Sequence, residues 1–184
     1  GMSVPFPIRD VTVRQVTAQQ AAEERERAIQ ETNARLRPLP IFAALTDEQI
    51  RRLAECARTD LFTDGEVLVR QGDTGDSLFV INSGRARVET ENERGGLTVL
   101  AHIPPGDFFG EVSLLSGRPR TATITAGTEV SAIELDGSEV DRIARKHPEV
   151  REVLEDFCNR RATETVEAVI RRLRGDPTDS GKTV

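Results

Sequence analysis

The sequence predicts a mainly β protein with flanking helices: an antiparallel β-roll or jelly-roll barrel, preceded by a helical segment and followed by further helices. Three observations predict it. Between residues 59 and 135 the runs EVLVR, SLFVIN, RARVET, LTVLAHI, TATITA and EVSAIEL are short and largely alternating, the pattern of half-buried strands. Turn chemistry separates them, at Asp64-Gly65, Gln71-Gly72-Asp73, Gly75-Asp76, Ser83-Gly84, Gly95-Gly96 and Pro105-Gly106. Helical periodicity is confined to either side of this region, so many short strands must close on themselves as a roll or barrel.

The elements follow in order. Residues 1–16, GMSVPFPIRDVTVRQV, alternate at Val11, Val13 and Val16 and predict a strand that ends a preceding domain. Gly1 before Met2 reads as an expression scar on a piece of something larger. Thr17 and Gln20 have capping-box spacing, and AAEERERAIQETNARLR continues a helix with Glu23 four residues before Arg27 and Glu31 four before Arg35. Being polar nearly all round, residues 17–39 are either a linker helix between domains or a solvated helix lying on their own domain. Pro38 and Pro40 end it, and the main domain is placed at 40–173.

Thr46 and Gln49 repeat the cap, with Ile50, Leu53, Ala54 and Ala57 on one helical face. Beyond the strands, Asp136 and Glu139 cap a helix that carries Val140, Ile143 and Ala144 and runs to Lys146. Pro148 restarts it. Val150, Val153, Leu154 and Phe157, then Val166, Val169, Ile170 and Leu173, form an apolar stripe interrupted by NRRATET, which predicts two packing surfaces. Residues 174–184 read as a disordered tail.

Composition excludes several functions. A net charge of −6 argues against a nucleic-acid-coating surface while leaving room for a local anion site, and seven Phe without Trp or Tyr argue against base-stacking platforms. Cys56 and Cys158 are too few and too distant in sequence for a disulfide framework or a metal knuckle, which favours a reducing compartment. His102 and His147 lack clustered ligand partners and read as half-exposed structural residues, and no Ser pairs with a His in a recognisable nucleophile context. Neither a metal nor a catalytic residue is expected. The SGKT of the tail is not a phosphate loop: Gly175 and Gly181 enclose five residues where the motif has four, and no strand precedes it. No stretch approaches the roughly 18 apolar residues of a membrane span.

The informative stretch is FGEVSLLSGRPRTATITA, residues 109–126. Gly110 to Ser116 predicts one or two helical turns whose first amides, those of Val112, Ser113 and Leu114, form an anion site that Gly110 lets a ligand approach. Arg120, set off from the helix by Pro119, can grip phosphate oxygens with two prongs. Glu111 beside an anion site has two readings. It bonds a sugar hydroxyl of the same ligand, which describes a compact nucleotide, or it complements its helix dipole and pairs with Arg118 or Arg120.

This run resembles the phosphate-binding cassette of the cyclic nucleotide-binding domain family. GEVLVRQGDTGDSLFVINSGRARV resembles the family's glycine-spaced strands, and the likeness covers residues 40–173. It implies a non-enzymatic sensor. Glu111 would accept the ribose 2'-hydroxyl, Arg120 and the Ser113 amide would hold the cyclic phosphate, and Phe109, Gly110, Val112, Thr121 and Ala122 would shape the pocket. The last helix would act as a lid through Leu154, Phe157 and Arg161. The implied ligand is cyclic AMP ahead of cyclic GMP, which a hydroxyl at Thr121 keeps in play. A barrel that has lost its ligand and serves as an assembly module is the rival.

VPFPIRDVTVRQV also resembles the end of the cytoplasmic domain of small-conductance mechanosensitive channels. That likeness implies a channel as the attached effector and partner, a place on the cytoplasmic face of the inner membrane, and homo-oligomers formed through the parent. The segment itself is expected to insert in no membrane and bind no nucleic acid.

Overall fold

The computed structural model describes residues 17–91 and 96–173, with side chains up to residue 163. The strand expected in 1–16, Gly95 of the Gly95-Gly96 turn, the tail at 174–184 with its SGKT, and the side chains of Val166, Val169, Ile170 and Leu173 lie outside the described residues.

Helix α1 spans Ala18–Leu36 and opens on a capping box, in which Thr17 accepts from the Gln20 amide while the Gln20 side chain accepts from the Thr17 amide. A short 3-10 turn at Pro40–Phe42 leads to α2, Asp47–Cys56, whose Thr46 and Gln49 make the same reciprocal pair. Helix α1 lies on α2 through a two-pronged bond from Arg51 to Glu26, at 2.9 and 2.8 Å. Both partners are half exposed, so the bond orients the helix more than it stabilises the fold. Leu36 and Leu39 are buried with Ile41 and Phe42, so the core reaches past the boundary read from the prolines.

The strands are β1 (Arg58–Phe62), β2 (Val67–Val69), β3 (Leu78–Ser83), β4 (Ala86–Glu91), β5 (Leu97–Ile103), β6 (Phe108–Phe109), β7 (Thr123–Ala126) and β8 (Val130–Leu135). Helix α3, Glu111–Ser116, sits between β6 and β7, and α4 (Gly137–Lys146) and α5 (Pro148–Leu173) close the described chain. Two four-stranded sheets, ordered β1-β8-β3-β6 and β2-β7-β4-β5 and antiparallel in every pair, make the predicted roll.

The centre of the first sheet, β3 and β8, is buried on both faces. Along β3, Leu78 and Val80 face a cluster under the helices with Ile50, Leu53, Leu135, Val140 and Leu154, while Phe79 and Ile81 face a second cluster inside the roll with Ile103, Ile124 and Val130. Alternation sends successive side chains to opposite faces, so a strand between two apolar layers must be apolar throughout. That is why SLFVIN reads as a nearly continuous run. At the turn into β4, Gly84 has φ +81°, and a β-carbon there would fall 2.0 Å from the Glu129 carbonyl oxygen. No side chain fits.

Candidate functional site

The site is built where β6 hands the chain to α3. Phe109 ends the strand inside the roll, stacked on Phe79 at 4.9 Å between ring centroids. Gly110 then turns the chain with φ +99° and caps α3. A β-carbon on it would come within 2.4 Å of the Ser77 carbonyl oxygen and 2.8 Å of Arg120 Nη1, so glycine is required both by its conformation and by the arginine packed against it. The Leu114 amide donates to the Gly110 carbonyl at 3.2 Å, inside the helix. This corrects the expectation that it belongs to an outward set with Val112 and Ser113.

Arg120 is only 7% exposed. Its Nη1 donates to the Ser77 carbonyl at 3.0 Å and to the Gly110 carbonyl at 3.4 Å, and its guanidinium lies 5.6 Å from the centre of the Phe79 ring. Burial pulls its pKa down, while the charges of Asp76, Glu134 and Glu111 push it back up. Its own amide donates to the Asp73 carbonyl, and its carbonyl accepts from Gly72, so the GDTGD turn fixes its backbone.

Glu111 is 3% exposed. Burial raises its pKa above the usual carboxylate value, and Asp107 adds to the rise. Arg161, its own backbone N–H and Arg120 oppose it. The near cation is Arg161 of α5, whose Nη1 stands 3.8 Å from Glu111 Oε1, which replaces the expected pairing with Arg118 or Arg120.

A carboxylate whose folded pKa lies above its unfolded one holds its proton longer in the native state, so stability declines as pH rises from about 4.5 through the folded value. Glu111→Gln is therefore expected to melt no lower than the wild type at pH 7, with its advantage gone below the unfolded carboxylate pKa. Thermal unfolding at the two pH values checks this. A lower melting temperature at pH 7 would contradict it.

A cavity of about 580 Å³ lies in front of these groups. Phe109, Gly110, Glu111, Val112, Ser113, Arg120, Thr121 and Ala122 all line it. Of the three lid candidates, Arg161 lines it. Leu154 is instead fully buried in the cluster under the helices, because it lies on the inner face of α5 with Val150. Phe157 also packs there, its ring stacked on Phe108 at 3.9 Å. The face of α5 that reaches the cavity carries Cys158, Arg161 and Ala162. Burial, and then the charge of Glu111, push the Cys158 thiol pKa up to about 11, so it stays protonated at neutral pH.

The far wall comes from Val69, Val88 and the β5 residues Leu100, Ala101, His102 and Ile103. These wall residues went unassigned in the sequence, where alternation marks a strand's two faces but not which faces a ligand. Among the described residues no group of three or more His, Cys, Asp or Glu could hold a metal ion, and no helix is long and apolar enough to cross a membrane.

Residues 60–147 match the family model described as the cyclic nucleotide-binding domain. A cAMP-dependent protein kinase regulatory subunit from Dictyostelium discoideum is 39% identical over 94 residues, covering 50% of this chain and 29% of that protein. A cyclic nucleotide-gated potassium channel from Rhizobium etli is 32% identical over 116 residues, 63% of this chain and 31% of the channel. The chain thus spans under a third of either relative. The structure of the regulatory domain of Toxoplasma gondii PKA with cAMP superposes with a TM-score of 0.63 at 23% identity, over 76% of this chain and 51% of that one.

Proposed function

Residues 60–147 are a cyclic nucleotide-binding domain, a regulatory rather than catalytic module, and from that premise we propose that the chain senses a 3',5'-cyclic nucleotide and passes closure of α5 to an attached effector. One observation carries the reading: a buried carboxylate, Glu111, and a buried guanidinium, Arg120, face the same cavity beside the amide end of α3. A cyclic nucleotide presents a hydroxyl to the first and an anionic phosphate to the second within one small ligand. Arg120 and the Ser113 amide take the phosphate, Glu111 accepts the ribose 2'-hydroxyl, and the apolar wall from β4, β5 and β7 receives the base. Cyclic AMP is the favoured ligand, in line with the kinase regulatory subunits that the chain resembles. The Thr121 hydroxyl at the cavity wall retains cyclic GMP as the second choice.

Residues 40–173 are assigned as the sensor, whose core also takes in Leu36 and Leu39, and 17–39 as its connector, which lies on α2. The effector is assigned as a membrane channel, with the sensor on its cytoplasmic side, on the strength of the Rhizobium relative and of the N-terminal likeness to mechanosensitive channels. Ligand can move α5 only by as much as it prefers the closed position, so output depends on contacts with Arg161 and its neighbours.

Calorimetric titration with cyclic AMP, cyclic GMP and 5'-AMP tests the reading. Saturable binding of a cyclic nucleotide with 5'-AMP silent is expected. Silence from all three in folded, nucleotide-free protein would favour the assembly module. Glu111→Ala is expected to cost about 1.5 to 3 kcal/mol of affinity, the range for a hydrogen bond to a charged group, and to reduce discrimination against the 2'-deoxy nucleotide. Discrimination that survives this substitution would return Glu111 to a structural role.

A further inference from the structure

Two carboxylates share one guanidinium in the wall of the cavity, on unequal terms. Arg161 donates from Nη2 to Asp107 Oδ2 at 3.0 Å, while its Nη1 stands 3.8 Å from Glu111 Oε1, beyond hydrogen-bond reach. Asp107 is itself fixed, since its other oxygen accepts the Phe108 amide at 3.0 Å, in the turn that leads into β6. The guanidinium is further held against the Phe157 ring, 4.3 Å from its centre, and 5.9 Å from that of Phe108. Among the described residues no side chain hydrogen-bonds Glu111, although its carboxylate is almost wholly buried.

We propose that Asp107 is a positioning residue for the ligand site: by anchoring Arg161 it keeps the guanidinium near enough to compensate the Glu111 charge and too far to occupy the oxygen that the ribose hydroxyl needs. This rests on the reading of Glu111 given above. Without the Asp107 charge, the strongest attraction left to Arg161 is Glu111, because a charge-assisted bond outcompetes one to a neutral amide. The guanidinium then closes on Glu111 and competes with the ligand. The groups facing Glu111 are Arg161 and Cys158 from α5, Arg120 from the segment before β7, and Asp107 from the turn before β6. Of these charges, Asp107 is the only anion, and its loss removes a repulsion that raises the Glu111 pKa.

Asp107→Asn keeps an acceptor for the Phe108 amide and tests the proposal with two readouts. In calorimetry the preference for cyclic AMP over its 2'-deoxy analogue, expected at roughly tenfold or more in the wild type, should fall to about twofold in Asp107→Asn. Affinity for the 2'-deoxy analogue should change little. In an Arg161→Met background the same substitution should leave the preference unmoved, because Asp107 acts through Arg161. In ligand-free protein, the Glu111 carboxyl followed by carbon NMR should titrate at lower pH in Asp107→Asn than in wild type.

An unchanged preference in protein that binds cyclic AMP would overturn the proposal, as would an equal change in both backgrounds. Wild-type protein that binds no cyclic nucleotide would sink the sensor reading instead. The Glu111 titration then decides on Asp107 alone: a downward shift supports its hold on Arg161, and no shift overturns it.

Discussion

Replacing Arg120 with alanine is expected to lower the affinity for cyclic nucleotide by about 2 to 5 kcal/mol, the cost of leaving a buried charged partner unmatched. The guanidinium is held in place before any ligand arrives, by the Ser77 and Gly110 carbonyls and by the Phe79 ring. Little side-chain entropy is then lost on binding, which is how preorganised groups add affinity. Asp76 and Glu134 already favour its charged form. A phosphate that enters therefore meets a fixed cation and displaces little.

Two controls separate this role from a structural one. Arg120→Lys keeps a charge but offers no planar fork, so it should recover only part of the loss. Discrimination against the 2'-deoxy nucleotide should survive in both variants, since Glu111 is untouched. Calorimetry with thermal unfolding alongside makes the comparison, because Arg120→Ala also strips two backbone carbonyls of a donor. Undiminished affinity in a folded Arg120→Ala protein would remove the phosphate site from this cavity.

The parts of the fold legible in the sequence are those specified by local chemistry. Thr17 with Gln20 and Thr46 with Gln49 form the reciprocal caps that their spacing announces, and α4 runs to Lys146 as read, behind its Asp136 cap. Strand β1 was not separately legible. Arg58–Phe62 is an edge strand exposed over most of its length, with Leu61 73% exposed, so no buried face imposes alternation on its residues. Strand β6 has two residues, too few for any period to show.

The cassette was legible because its residues are contiguous: Gly110 with the first turn of α3, and the segment that returns from α3 to β7, line one wall. The opposite wall and the lid are assembled from distant elements. On α5, periodicity defines the stripe of Val150, Leu154 and Phe157, but a stripe says which residues are buried and not what buries them. The cavity face, Cys158, Arg161 and Ala162, carries a thiol, a charge and a small side chain and has no amphipathic signature. Asp107 sits in a turn whose Pro-Gly-Asp sequence already has a local explanation, which hides its bond to a residue 54 positions away.

Leu154→Ala is expected to destabilise the fold by about 2 to 5 kcal/mol, the range for truncating a buried leucine, while leaving the affinity of the folded protein nearly unchanged. The side chain is fully buried, in the cluster that joins α5 to Leu36, Phe42, Ile50, Leu135 and Val140. That cluster is assembled from the N-terminal helices, the outer face of the first sheet and α4. A void at Leu154 therefore loosens the seat of α5 from several sides, with few flexible neighbours to refill it.

The cavity contacts lie further along the helix, held by separate bonds: Phe157 on Phe108 and Arg161 on Asp107. Urea unfolding gives the stability change from the midpoint shift at constant slope, and calorimetry well below the transition gives the affinity. The opposite pattern, unchanged stability with weakened binding, would show that Leu154 reaches the ligand and that α5 is rotated about its axis from the orientation described here. The cavity face would then pass from Cys158, Arg161 and Ala162 to the stripe of Val150, Leu154 and Phe157, and the shared guanidinium at Asp107 and Glu111 would go with it.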